Sequence, residues 1–298
     1  MSKKIVLAGG TGFIGQYFAS EFSKMGYKVI IISRQPGHVQ WLDSASIIAA
    51  VDGAEMLINL AGKSVDCRYN KENKAEILRS RTETTRILGK AVLQCSTPPP
   101  VWMNASTATI YRHAEDRGMT EEDGEIGTGF SVDVATSWEQ TFFSIKPPST
   151  KQVALRIAIV LGEDGGVMKP FKNLVRWGLG GEQGNGRQMF SWIHIKDLFN
   201  IVMFLKDKPQ LSGAFNCAAP NPVNNIALMT ALRESMHVKF GLPSPKWLLN
   251  IGAKIIATEP ELILKSRWVL PKRLLDAGYR FDYTDITQAI NNIVHTEK

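Results

Sequence analysis

Gly9, Gly12 and Gly15 recur at intervals of three in GGTGFIG, and what lies on either side of them sets the fold class. The preceding KKIVLA is an apolar, β-rich run that ends in glycine. After it, apolar residues fall at Phe13, Ile14, Phe18, Phe22 and Met25, close to a helical period, until Gly26 stops the helix. YKVIIIS is then a continuous apolar run, the pattern of a strand buried on both faces. Strand, glycine turn, helix and strand predict an α/β protein with a Rossmann-type, doubly wound parallel sheet. The glycines have specific work in such a turn. It needs positive φ, it brings backbone against a pyrophosphate with no Cβ between, and it aims the free N–H groups and positive dipole end of a helix at that anion. Gly9, Thr11, Gly12, Phe13, Ile14 and Gly15 are therefore expected at a dinucleotide.

The end of the second strand indicates which dinucleotide. A site for NAD usually carries Asp or Glu there, on the ribose 2′-hydroxyl. This chain has Ser33-Arg34, with Arg34 nineteen residues after Gly15 and no acid near. A guanidinium suits a 2′-phosphate by charge and by its bidentate geometry, so the expected cofactor is NADP(H).

Further on, SIIAAVDGAE reads as a short helix and turn, and MLINLAG as a buried strand whose end, Leu60, Ala61 and Gly62, should run past the dinucleotide. A helix from Glu72 to about Cys95 is predicted, with a core stripe of Leu78, Thr82, Thr85, Leu88, Val92 and Cys95. Glu76 and Arg81 fall off that stripe, toward the cofactor. KQVALRIAIVLG reads as one more strand, SWIHIKDLFNIVMFL as a strand and helix, and GAFNCAAP as a strand. The boundaries expected are 1–222 for the dinucleotide-binding domain, 166–187 for a glycine-rich excursion that covers the site, and 243–298 for a small C-terminal domain.

Composition narrows the setting. A chain of 298 residues that is 44% hydrophobic can bury a sizeable core, and no apolar run is long enough to span a bilayer. The basic start runs into glycine too soon for a signal peptide and reads as a first strand. Cys67, Cys95 and Cys217 are far apart and lack CxxC spacing, which argues against a disulfide framework or zinc site and for a reducing cytosol. The net charge of +7 comes with no nucleic-acid motif, so neither nucleic acid nor membrane is an expected partner.

In order, GGTGFIG, ISR, NLAG, the SR and TT of the long helix, LRIAIVLG, SWIHIKDL, AAPNPVNN and LPKRLLDAGYRF resemble the epimerase-like family of atypical extended short-chain dehydrogenases. The resemblance spans nearly the whole chain. It implies an extended Rossmann fold with a small C-terminal domain, NADP(H), and cofactor contacts at Ser33, Arg34, Leu60, Ala61, Glu76, Arg81 and Val160. It also implies a homodimer. It supplies no substrate.

Active short-chain dehydrogenases use a Tyr-x-x-x-Lys pair for proton transfer. By position, FSVDVATSWE puts Ser131 where the tyrosine would be and Ala135 where the lysine would be. A serine hydroxyl is far less acidic than a phenol, and alanine offers no charge. The remaining catalytic candidates are Ser106, at the usual place of a substrate-side serine, and Tyr111, the nearest phenol. His194 and Asp197 match a motif that braces the two domains. Two functions follow. One is an NADP(H)-dependent reductase or epimerase on a small polar or nucleotide-linked substrate. The other is a non-catalytic sensor of NADPH.

Overall fold

The computed structural model describes residues 3–163, 165–244 and 265–295. β1 (Lys4–Ala8), α1 (Phe13–Lys24), β2 (Lys28–Ile32), α2 (Ser44–Val51), β3 (Met56–Asn59), α3 (Lys71–Gln94) and β4 (Val101–Thr107) alternate as the glycine turn predicts. A 3-10 turn at Ala108–Ile110 leads toward α4 (Phe130–Ser144) and β5 (Lys151–Ile157). Then come β6 (Ile159–Leu161), α5 (Met168–Arg176), β7 (Met189–Phe190), β8 (Trp192–His194), α6 (Ile195–Lys206), β9 (Gly213–Cys217), β10 (Val223–Asn224) and α7 (Asn225–Ser235). The described C-terminal residues hold α8 (Lys272–Asp276) and α9 (Ile286–His295).

Six parallel strands form the central sheet in the order β2-β1-β3-β4-β5-β9. The chain moves outward from β1 in both directions, so a crevice opens above the carboxyl ends of β1 and β3. Ala8 is level with Ile32 on one side and Asn59 on the other, which brings Gly9, Ser33 and Leu60 to one edge. One face of the sheet is sealed by Phe18, Phe22 and Phe199 from α1 and α6. The other is sealed by α2, α3 and α4, where Trp102 and Phe142 meet edge to face at 4.8 Å.

Two sequence expectations need correction. Leu78 is exposed and Ile77 takes its place in the core stripe of α3. Ile77 precedes Leu88 by eleven residues and lies about 20° from it around a 3.6-residue helix, whereas Leu78 lies about 80° away. KQVALRIAIVLG is also two strands, not one. β5 ends at Ile157, the Ala158 N–H bonds to Cys217 O, and β6 leaves the main sheet to pair with β8.

Residues 245–264 and 296–298 of the expected C-terminal domain lie outside the described residues. The described part is bound to the rest at several points. Ser191 Oγ donates to Arg267 O and accepts from Val269 N. The Asp197 carboxylate accepts the N–H groups of Asp282 and Tyr283. α9 packs Ile286, Ile290 and Ile293 against Leu228, Met229 and Leu232 of α7.

Candidate dinucleotide site

The turn after β1 is built around backbone contact. Gly9 has φ of +77°, and a Cβ there would lie 2.7 Å from Ala61 N. At Gly15 a Cβ would lie 2.6 Å from the Cα of Gly10, so α1 and the turn touch directly. Gly12 differs: its φ is −82°, and a Cβ would meet only Gly9 O, at 3.7 Å. Gly12 is the N-cap of α1, with no side-chain cap and no acid in the first turn. The helix start therefore keeps the free N–H groups and dipole end that attract an anion. These features suit the pyrophosphate of a dinucleotide. The Phe13 ring turns the other way. It packs so close to Gly162, Gly165 and Gly166 that a Cβ at any of them would sit 2.5 to 3.2 Å from its carbons.

Ser33 is buried at the end of β2, where Val39 O accepts its N–H and its Oγ accepts the N–H of Gln35. Val39 N in turn bonds to Ile31 O, which closes a short loop. Arg34 starts that loop, exposed and without a carboxylate partner among the described residues. The end of β3 faces the turn. Leu60 N bonds to Ala8 O, and Asn59 Oδ1 accepts from Ala61 N at 3.0 Å. Beyond Gly62, the Arg81 guanidinium donates to Lys63 O and Ile77 O. It lies over the Trp138 ring with Cζ 5.1 Å from the centroid. Burial pulls the Arg81 pKa down to about 10. Glu76 does not join it; its carboxylate takes two hydrogen bonds from Arg79 instead. Val160 is buried in β6 within the main core. The structure thus gathers the glycine turn, Ser33, Arg34, Leu60, Ala61, Gly62 and Arg81 along one edge, and leaves Glu76 paired elsewhere.

The residues considered for catalysis are differently placed. Ser106 is buried at the end of β4 and donates to Glu139 Oε1 at 2.6 Å. Arg156 clasps the same carboxylate side by side, Nε to Oε1 and Nη2 to Oε2, both at 2.8 Å. Its Nη1 donates to the Tyr111 oxygen at 2.7 Å. The Tyr111 hydroxyl donates to Asn216 Oδ1 at 2.9 Å, and the residue is only 2% exposed. Burial pushes the phenol pKa up, against the pull of Arg156. Burial alone would lower the Arg156 pKa, but its bonds with Glu139 raise it. Ala135 has no exposed surface and packs among Ala108, Tyr111, Ala158 and Ala218. His194 stacks on Tyr283 at 3.9 Å and caps α6 through Nδ1, while Tyr279 and the N–H groups of Asp282 and Tyr283 surround Asp197.

Sequence reasoning missed Glu139, Arg156 and Asn216 as one network. An arginine inside the apolar strand LRI was a usable signal, because a buried guanidinium requires a partner. No helix among the described residues is long and apolar enough to cross a membrane.

Sheet order, crossover point and glycine turn together define a doubly wound α/β protein of the extended short-chain dehydrogenase kind. The chain belongs to the epimerase family. Residues 5–135 match the NAD dependent epimerase/dehydratase family, and residues 244–293 match a domain of unknown function, DUF1731. The epimerase family protein YfhF of Bacillus subtilis is 30% identical over 99% of both chains. The crystal structure of human epimerase family protein SDR39U1 with NADPH superposes with a TM-score of 0.89 at 28% identity, over 99% of this chain and 100% of that one. A nucleoside-diphosphate sugar epimerase from Corynebacterium glutamicum gives 0.79 at 27% identity, covering all of this chain and 59% of its own.

Proposed function

We propose that this chain is an NADP(H)-binding protein that lacks the usual Tyr-x-x-x-Lys pair and ties its remaining candidates, Ser106 and Tyr111, into a structural network, so that it senses or stores the dinucleotide and does not turn over a carbonyl substrate. The cofactor part is supported by the uncapped start of α1, the close backbone of Gly9 and Ala61, and Arg34 in place of an acid. The NADPH held by human SDR39U1 supports the same choice. Gly9, Thr11, Gly12, Phe13, Ile14 and Gly15 would hold the pyrophosphate. Ser33 and Arg34 would hold the 2′-phosphate, and Leu60, Ala61, Gly62 and Arg81 would flank the rest. The absence of turnover rests on one observation: the Tyr111 phenol is buried and committed on both sides, to Arg156 and to Asn216. With Ser106 donating to Glu139, neither hydroxyl proton is offered to a ligand. The reading puts the chain in a reducing cytosol, where its three free thiols persist.

Calorimetry with NADPH and NADH, followed by an assay of NADPH oxidation against aldehydes, ketones and nucleotide sugars, tests it. Binding without turnover is the expected result. Turnover that Tyr111→Phe or Ser106→Ala abolishes would establish the reductase or epimerase reading instead.

A further inference from the structure

Ala135 stands where the resemblance would place a lysine on α4, yet a half-buried cation stands one turn along. The Arg81 guanidinium comes from α3 and lies over the indole of Trp138, three residues after Ala135 on α4. We propose that Trp138 is a positioning residue for the dinucleotide: its ring, steered by Thr85, holds Arg81 beside the Ala61–Gly62 strand end, where it meets phosphate or ribose oxygens of the cofactor. The proposal rests on the NADP(H) reading.

The geometry of the seat is specific. Thr85 follows Arg81 by four residues on α3, so both stand on one face of that helix. The Thr85 hydroxyl accepts from Trp138 Nε1 at 3.0 Å and from Asn59 Nδ2 at 3.1 Å, and donates to Arg81 O at 2.8 Å. The indole edge is therefore fixed to the turn that carries Arg81. Asn59, the other donor to Thr85, also receives Ala61 N and so sets the strand end against Gly9. One hydrogen-bonded chain thus joins Ala61, Asn59, Thr85 and Trp138. At its far end the guanidinium has its lower contacts filled by Lys63 O and Ile77 O, while a Cβ at Gly62 would lie 3.0 Å from Arg81 Cζ. Glycine at 62 therefore leaves this space to the arginine. No carboxylate among the described residues pairs with Arg81; its Coulombic neighbour is the Tyr69 phenol. A desolvated cation without a counter-charge favours an arriving anion. A cation held over an indole also keeps its in-plane donors free for oxygen atoms, because the ring engages only its face.

A double-mutant cycle on NADPH affinity tests this, with Trp138→Leu, Trp138→Phe, Arg81→Ala and the double variant Trp138→Leu/Arg81→Ala. Circular dichroism and thermal melts would accompany each. Loss of the indole should weaken NADPH about three- to thirty-fold, and phenylalanine, which keeps an aromatic face, should restore most of it. In the Arg81→Ala background, Trp138→Leu should cost nothing further. Equal losses in both backgrounds, or unchanged affinity in folded Trp138→Leu, would overturn the proposal and reduce Trp138 to core packing. Should Trp138→Leu fail to fold, Thr85→Val replaces it in the same cycle, with the same two outcomes. Wild-type protein that binds no NADPH would instead remove the cofactor reading, and this proposal with it. Wild-type binding without coupling removes the Trp138 role alone.

Discussion

Arg156 and Glu139 form a side-by-side ion pair that is almost wholly withdrawn from water, with side chains 13% and 10% exposed. Ser106 donates to the carboxylate and Tyr111 accepts from the guanidinium, so both catalytic candidates hang on this pair. Glu139→Ala leaves a buried guanidinium uncompensated and should lower unfolding free energy by about 3–5 kcal/mol. Urea denaturation checks it; a loss below about 1 kcal/mol would mean that water reaches Arg156.

Tyr111→Phe separates structure from chemistry. It deletes a hydroxyl that satisfies both Arg156 and Asn216, so stability should fall by about 1–3 kcal/mol while NADPH affinity stays within a factor of two. A stable variant with impaired NADPH binding would place the phenol against the ligand.

The three fingerprint glycines should not behave alike. Gly12→Val adds a side chain into open space, so the fold should persist while NADPH binding disappears. Gly9→Ala and Gly15→Ala drive a Cβ into backbone and should destabilise the protein itself. A folded Gly12→Val protein with unaltered calorimetric affinity would rule out the turn as the pyrophosphate site.

Arg34→Ala should weaken NADPH about ten- to a hundred-fold and scarcely change NADH, since a charge-assisted contact is worth roughly 1.5–3 kcal/mol. The paired titrations are decisive: parallel losses for both cofactors would show that Arg34 does not read the 2′-phosphate.

His194 gives the fold a dependence on acid. Burial depresses its pKa to about 4, below the ordinary value of about 6.5, so the unfolded chain binds the extra proton first. The stability it contributes is complete above about pH 6.5, declines as pH falls, and is gone below about pH 4. The total is at most about 3 kcal/mol. His194→Asn keeps a cap for α6 and should flatten this limb between pH 6.5 and 4. Identical acid limbs in the two proteins would assign the dependence to other groups.

What the sequence reveals and conceals here follows contact range. The glycine turn, Ser33-Arg34 and the strand end at Leu60 to Gly62 were legible because each is local: a few residues with one conformational demand. The register of α3 was off at the first position of its core stripe because threes and fours fit both Ile77 and Leu78 over a short window. The network of Ser106, Glu139, Arg156, Tyr111 and Asn216 was hidden for another reason. Ser106 reaches 33 residues to Glu139, and Tyr111 reaches 105 to Asn216. No periodicity records such pairs, so Ser106 and Tyr111 looked like free reagents.

The contact of α9 with α7 has an evolutionary corollary. Ile286, Ile290 and Ile293 belong to the stretch matched by one family model, yet they complete a core with Trp192, Leu228 and Leu232 that lie outside it. Neither side can be exchanged for a stranger without exposing the other's apolar face. The module drawn on a sequence map over residues 244–293 is in this respect a single heritable unit with the stretch that carries Trp192, Leu228 and Leu232, and recombination that separates them should be purged at the level of folding, before any ligand is met.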